Sequence, residues 1–147
     1  MKRLREGLGI AGYVFARPLL WLLLHGSERV KLLITCDNRV LVVRGWLGDG
    51  KWDLPGGGIE HEETPLQAIQ RELFEELSVC LPDSRLQYLR AETVKSKGIS
   101  TTVHYYAAEA WPFLQVKPRP VELRDAIWLK RSDLTAANAG PALLKVL

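Results

Sequence analysis

The sequence predicts an α+β domain with helices on both faces of a mixed sheet. Three observations carry that expectation. Two β-prone runs, residues 29–35 (RVKLLIT) and 39–44 (RVLVVR), flank the turn-forming pair Asp37-Asn38, as in a hairpin. An amphipathic helix with its own start signal covers residues 65–77. More strands and a closing helix fill the second half of the chain.

Composition fits one domain. The chain has 147 residues, 47% hydrophobic and 25% charged, enough for a core of its own and ordinary for a soluble globular protein. The net charge of +3 does not by itself call for nucleic acid. The charges are unevenly placed, however. Lys2, Arg3, Arg5, Arg17, Arg29 and Lys31 make the start basic, and residues 60–76 are acidic. Cys36 and Cys80 match no disulfide framework and no metal-ligand spacing, so a reducing cytoplasm is expected. No repeat or low-complexity tract interrupts the chain.

Residues 1–27 stand apart as an N-terminal extension to a domain spanning 28–147. Basic residues before the apolar run 8–16 outline a signal peptide. Against that, Arg17-Pro18 leads straight into a second apolar run, 19–24, and neither run has the roughly 18 uninterrupted residues of a membrane helix. A short helical extension is expected, burying its apolar side on the domain or on a second copy of the chain as a homodimer contact. Trp21, the leucines and the basic residues would also suit peripheral contact with a membrane surface.

After the hairpin comes a glycine-punctuated loop, residues 45–51 (GWLGDGK), and a short strand at residues 52–54. Pro55 and three successive glycines, Gly56, Gly57 and Gly58, then form a loop that a ligand or another backbone can approach closely. Thr64-Pro65 starts the helix: Thr64 caps it, Pro65 suits the first position, and Gln67 completes a capping box. Beyond the helix, Leu81-Pro82-Asp83 breaks the chain. Residues 85–95 and 100–110 read as strands around a turn at 95–98. Alternation puts His104 and Tyr106 on one face and Val103 and Tyr105 on the other. Residues 111–124 form a long connection with three prolines. Residues 126–130 are the last strand, residues 132–134 a turn or short helix, and residues 141–147 a terminal helix.

Within the helix, Leu66, Ile69, Leu73 and Leu77 form the apolar stripe. Glu72, Glu75 and Glu76 share an adjoining arc, at i, i+3 and i, i+4 spacings. Like charges so placed destabilise a helix by roughly 0.2–0.5 kcal/mol per pair. Two of them also lie near the C-terminal end of the helix, where the dipole disfavours anions. A solvated acidic face is the plain reading of such a run. The glycine loop beside it, itself carrying Glu60, Glu62 and Glu63, favours a divalent cation instead, and oxygen donors suit Mg²⁺ or Mn²⁺. Arg71 is the strong base between Glu60 and Glu76, placed to pair with a loop carboxylate and fix the loop on the helix.

These residues resemble the Nudix box, G-x5-E-x7-R-E-U-x-E-E-x-G-U with U aliphatic. Here it reads Gly57, Glu63, Arg71-Glu72-Leu73, Glu75-Glu76, Ser78 and Val79. Ser78 alone departs from the pattern, standing where the family has the glycine that ends the helix. A left-handed cap with serine costs about 1 kcal/mol. Glu62 also holds a place that is often glycine in the family. The resemblance implies a Nudix fold, an α/β/α sandwich with a mixed sheet, and metal-dependent hydrolysis of a pyrophosphate bond in a nucleoside diphosphate linked to another group. It implies Glu72 and Glu76 as direct metal ligands, Glu75 as a ligand directly or through water, and the Gly57 carbonyl as a further one. Glu63 and Arg71 would hold the loop on the helix, and Glu60 would stand behind the ligands or add to them.

Outside the box, Glu122 is the candidate for the base that activates water, since some relatives place an acidic residue before the last strand. Candidate substrate contacts are Arg44, Trp46, Lys51 and Tyr106. Arg44 could equally be an ion-pair partner at a strand end, and Trp46 a lid on the core. Signatures for ADP-ribose, dinucleoside polyphosphates, NADH and coenzyme A are absent or misplaced, which leaves a nucleoside triphosphate or a nucleotide-sugar type of substrate. Two alternatives stay open: action on RNA 5′ ends, which the basic start supports though no RNA-binding motif accompanies it, and a non-catalytic nucleotide-binding module.

Overall fold

The structure, a computed structural model, describes residues 28–46, 49–96, 99–112 and 114–147. The N-terminal extension expected at residues 1–27, with its helix, membrane and homodimer readings, lies outside the described residues. Among the described residues no helix is long and apolar enough to cross a membrane.

The hairpin forms as expected. Strand β1 (Arg29–Cys36) turns through Asp37, at φ 52°, into β2 (Arg39–Gly45). Helix α1 (Pro65–Leu77) follows the glycine loop. Strands β3 (Gln87–Ser96) and β4 (Ile99–Glu109) form a second hairpin, and β5 (Leu123–Lys130) closes the sheet. The spatial order is β3-β4-β1-β2-β5. β1 and β4 pair in parallel, and the other neighbours are antiparallel. β1 is therefore the central strand, and the sheet is mixed.

Alternation along β1 divides the core. Val30, Leu32 and Ile34 face α1 and meet its stripe of Ile69, Leu73 and Leu77, all fully buried. On the opposite face Leu33, Val40, Val42 and Tyr105 are covered by Leu54, Leu134, Ala139 and Leu143. Burial of each such aliphatic side chain stabilises the fold by roughly 1.5–3 kcal/mol.

The strand boundaries of β1 to β4 fall within two residues of expectation, and two other boundaries differ by three. β5 starts at Leu123 rather than at residue 126, because Leu123 is itself a core side chain, 3% exposed, and pairs with Gly45 after a bulge. The terminal helix, α2, is one turn, Pro141–Leu144, and stops short of residue 147. A single turn cannot sustain itself. It is held by the Gly140 N–H, which donates to the Trp52 carbonyl at 2.7 Å, and by the buried Leu143. The second helical layer is thus this turn together with the 3₁₀ turn Arg131–Asp133.

Candidate active site

The site grows from the way the glycine loop lies on β1. Val30 N–H donates to Gly57 O at 2.9 Å and Leu32 N–H to Pro55 O at 3.0 Å, so residues 55–57 run along β1 like a short extra strand. Gly56 sits at φ 130° with its Cα pressed on the β1 backbone; a Cβ there would run into the Val30 carbonyl oxygen. Its N–H donates to Glu76 Oε2 at 2.9 Å. Gly57 packs against Glu72 so closely that a Cβ would overlap the carboxylate. The bare glycine backbone thus lets two helix carboxylates reach the loop.

The helix presents those carboxylates because both of its ends are defined. Thr64 and Gln67 form the capping box, and Ser78 takes the left-handed conformation at φ 55°, ψ 34°. Arg71 then locks loop to helix. Its Nε and Nη2 donate to the two oxygens of Glu63, both at 2.9 Å, and Nη2 also donates to Gly58 O at 2.8 Å. Nη1 donates to Glu72 Oε1 and Glu75 Oε2, each at 3.0 Å. One guanidinium therefore serves three carboxylates. Glu60 is held at the rim instead, 3.9 Å from Arg71 and largely in water.

The electrostatics divide these acids. The Arg71 hydrogen bond holds the Glu63 carboxyl below the usual range. Glu72 is pushed the other way: burial raises it, the neighbouring Glu75 and Glu122 carboxylates add to this, and Arg71 offsets only part. Glu122 thus stands close enough for its charge to act on Glu72, and Glu76 is almost wholly buried at 6% exposure. The ionised form of Glu72 is thus disfavoured by its surroundings, a condition that a divalent cation would relieve.

A cleft of about 640 Å³ opens beside this cluster. Gly56, Glu76 and Glu122 are among its lining residues. Arg29, Lys31, Arg44, Lys51 and Trp52 also line it, as do Asp49, Asp53 and residues 140–142. The Arg44 guanidinium lies 3.8 Å over the Trp52 ring, with Asp125 at 3.8 Å, and its buried Nε has no hydrogen-bond partner. Lys31 Nζ donates to Asp53 Oδ2 at 2.8 Å and to Leu54 O at 2.9 Å. Lys51 Nζ donates to Ala136 O at 2.8 Å.

Of the residues expected from the sequence, the structure therefore brings Glu76, Glu122, Arg44 and Lys51 to one cleft, with Glu72 and Gly57 directly behind. It does not bring Tyr106 there. Tyr106 lies on the α1 face, in the core, edge-on to Tyr88 at 5.2 Å, because alternation turns it toward the helix. Trp46 is exposed and outside the cleft lining, with Nε1–H donating to Pro120 O at 2.8 Å. Arg29, Lys31 and the Gly140–Ala142 wall were not anticipated. For the two cations a signal existed, since they occupy alternate positions of β1 and so share a face. The C-terminal wall carries no sequence signal of its own.

Metal fit can be judged from the donors. Among the described residues no three carboxylate, imidazole or thiolate groups converge as a ready-made ligand set, because Glu72 and Glu75 are turned to Arg71. The chemistry fits nevertheless: Glu72, Glu75, Glu76, Glu122 and the Gly57 carbonyl are all oxygen donors, of the kind that suits a hard divalent ion.

The family model for the NUDIX domain matches residues 28–147. An RNA pyrophosphohydrolase of Saccharophagus degradans is 42% identical over 55 residues, 37% of this chain and 32% of that protein. A MutT-like protein of Streptomyces ambofaciens is 36% identical over 56 residues, 38% of this chain and 36% of that protein. The chain thus spans about a third of the length of these curated relatives. Among solved structures, a MutT NUDIX hydrolase from Burkholderia pseudomallei superposes with a TM-score of 0.65 at 25% identity, covering 76% of this chain and 92% of that one. A bifunctional NMN adenylyltransferase/ADP ribose pyrophosphatase from Francisella tularensis, complexed with AMP and a Mn ion, superposes with a TM-score of 0.61 at 25% identity, covering 92% of this chain and 42% of that one.

Proposed function

Because the chain belongs to the Nudix family, we propose that it is a divalent-metal-dependent pyrophosphohydrolase acting on a nucleoside diphosphate linked to a further group, of the nucleoside triphosphate or nucleotide-sugar type. The observation that carries this reading is the shared lining of one cleft. Acids that suit a metal, Glu76 and Glu122, line it together with cations that suit a polyphosphate, Arg29, Lys31, Arg44 and Lys51.

In this reading Glu72 and Glu76 would hold the metal with Glu75, and Arg71 would keep the loop in place through Glu63 and the Gly58 carbonyl. A bound Mg²⁺ or Mn²⁺ supplies charge neutralisation at the phosphate oxygens and lowers the pKa of the attacking water. Glu122, which lines the same cleft, would accept the proton of the attacking water. Arg44, which lines the cleft, orients a phosphate, and its stack on Trp52 keeps the guanidinium in place. Gly56 N–H keeps the Glu76 carboxylate pointed at the loop. A reducing cytoplasm suits the free thiols of Cys36 and Cys80.

The test is a phosphate-release screen with Mg²⁺ and Mn²⁺ over nucleoside triphosphates, nucleotide sugars, ADP-ribose, dinucleoside polyphosphates and 5′-triphosphate RNA. One compound should be turned over well ahead of the rest, and Glu76→Gln should lower that turnover by about a hundredfold or more. Near-normal activity in Glu76→Gln removes the metal-site assignment. Inactivity of the wild type across the panel, with metal still bound, favours a binding module. The name of the Saccharophagus degradans relative favours 5′-triphosphate RNA as a second reading. Binding of RNA that is indifferent to salt would set it aside.

A further inference from the structure

Phe74 sits on α1 away from the apolar stripe and is 49% exposed. Core packing gives no reason for an aromatic ring there. The ring is covered from outside by the guanidinium of Arg119, 4.8 Å from its centroid.

Arg119 belongs to the segment that ends in Glu122, and that segment is fastened at the C-terminal end of α1. The last carbonyls of a helix lack partners within the helix. Here Lys117 N–H donates to Leu77 O and Arg119 N–H to Glu76 O, both at 2.9 Å. Arg119 Nε–H reaches Ser78 Oγ in a long contact of 3.4 Å. On its other side the Arg119 carbonyl accepts from Glu122 N–H at 3.0 Å and from Leu123 N–H at 2.9 Å. Arg119 therefore touches the metal-binding helix through its N–H and side chain, and the turn carrying Glu122 through its carbonyl.

We propose that Arg119 is a positioning residue: seated on Phe74 and on the end of α1, it fixes the Glu122 carboxylate relative to Glu72 and Glu76. The inference rests on the pyrophosphohydrolase reading and deepens it. The helix that bears the metal ligands also bears the socket for the loop that bears the base. The distance between them is set by this short chain of contacts together with the pairing of Leu123 with Gly45 at the end of β5. Trp46 braces the same turn from the β2 side through Pro120 O.

A double-mutant cycle tests this, with amide exchange measured alongside. Arg119→Ala lowers kcat about three- to tenfold while KM stays within about twofold. Phe74→Leu, which removes the platform instead, gives a loss of the same size, and Arg119→Lys, which keeps a cation over the ring, recovers part of it. In a Glu122→Gln background Arg119→Ala changes kcat by less than about 1.5-fold, because the group it positions is gone. Equal losses in both backgrounds, an unchanged kcat in Arg119→Ala, or a wild-type kcat in Glu122→Gln overturns the proposal. Exchange separates its failure from failure of the enzymatic reading. The amides of Lys117 and Arg119 exchange about fivefold faster or more in Arg119→Ala than in the wild type, whatever the substrate. A wild type inert towards every pyrophosphate, with this exchange change present, rejects the activity and supports the clamp; unchanged exchange rejects the clamp whatever the kinetics.

Discussion

Gly56→Ala isolates the contact between the glycine loop and the central strand. At φ 130° an alanine is outside the wells open to L-residues, which costs about 1–3 kcal/mol. The new Cβ also meets the Val30 carbonyl oxygen, with the Val30 carbonyl carbon at 3.0 Å and Lys31 Cα at 3.1 Å. All of these are backbone atoms of β1, so no side chain can swing aside. The loop must lift, and the bonds from Val30 N–H to Gly57 O and from Leu32 N–H to Pro55 O weaken or break, at about 0.5–1.5 kcal/mol each. The expected loss is about 2–6 kcal/mol, a large share of the stability of a domain. Gly50→Ala is the control: its φ of 75° is also positive, but a Cβ there meets nothing within 4 Å, so only about 1 kcal/mol is lost. Urea unfolding of wild type and both variants, followed by tryptophan fluorescence, measures the difference. If the two variants agree within about 1 kcal/mol, the close approach to β1 is not what holds the loop.

Other substitutions test neighbouring parts of the argument. Ser78→Gly relieves the left-handed cap and should stabilise by about 0.5–1 kcal/mol, a rise in Tm of about 2–4 °C; a fall in Tm would show that the serine contacts outweigh its backbone cost. Glu63→Gln should flatten the acid limb of stability. The Glu63 carboxyl is held low by Arg71, so its contribution is present above the unfolded pKa of about 4.3 and is lost as pH falls through the folded value. Wild type and variant should therefore converge on acidification, and parallel curves between about pH 6 and pH 2 would reject the role given to Arg71. Arg44→Ala should raise KM about tenfold and leave kcat within about twofold, as for a contact made equally in ground and transition states. An unchanged KM would take Arg44 out of the substrate site.

Local chemistry was legible in the sequence wherever it repeats over a few residues. Thr64 and Gln67 announce the capping box, Asp37-Asn38 the hairpin, and Leu66, Ile69, Leu73 and Leu77 the buried stripe. Ser78 and Glu62 stand where the family has, or often has, glycine, and both take positive φ. The carboxylates were visible for the same reason, as a dense run whose repulsion needs compensation. What could not be read is what distant segments decide. Nothing near Arg71 tells that it serves Glu72 and Glu75 as well as Glu63, since that depends on where the loop lands. Tyr106 is a candidate substrate contact in the sequence, yet the parallel pairing of β4 with β1 turns it onto the helix side. The bond from Trp46 to Pro120 and the cleft wall at Gly140 join segments far apart in sequence, and no periodicity reports such meetings.

The central place of β1 has a consequence for how the chain acquires its shape. Arg29 pairs with Val103 and Thr35 with Glu109, so the parallel edge of β1 has no partner until most of the chain has been made. The first hairpin can close early, since its turn is short, but the rest must wait for a closure that spans α1 and β3. During synthesis an apolar strand edge therefore stays open, a surface to which a chaperone or another nascent chain can add. The glycine loop and α1 precede β4 in the chain and can settle on the near side of β1 first. The carboxylate cluster can thus take form before the sheet is whole, and the turn carrying Glu122 is among the last pieces to arrive.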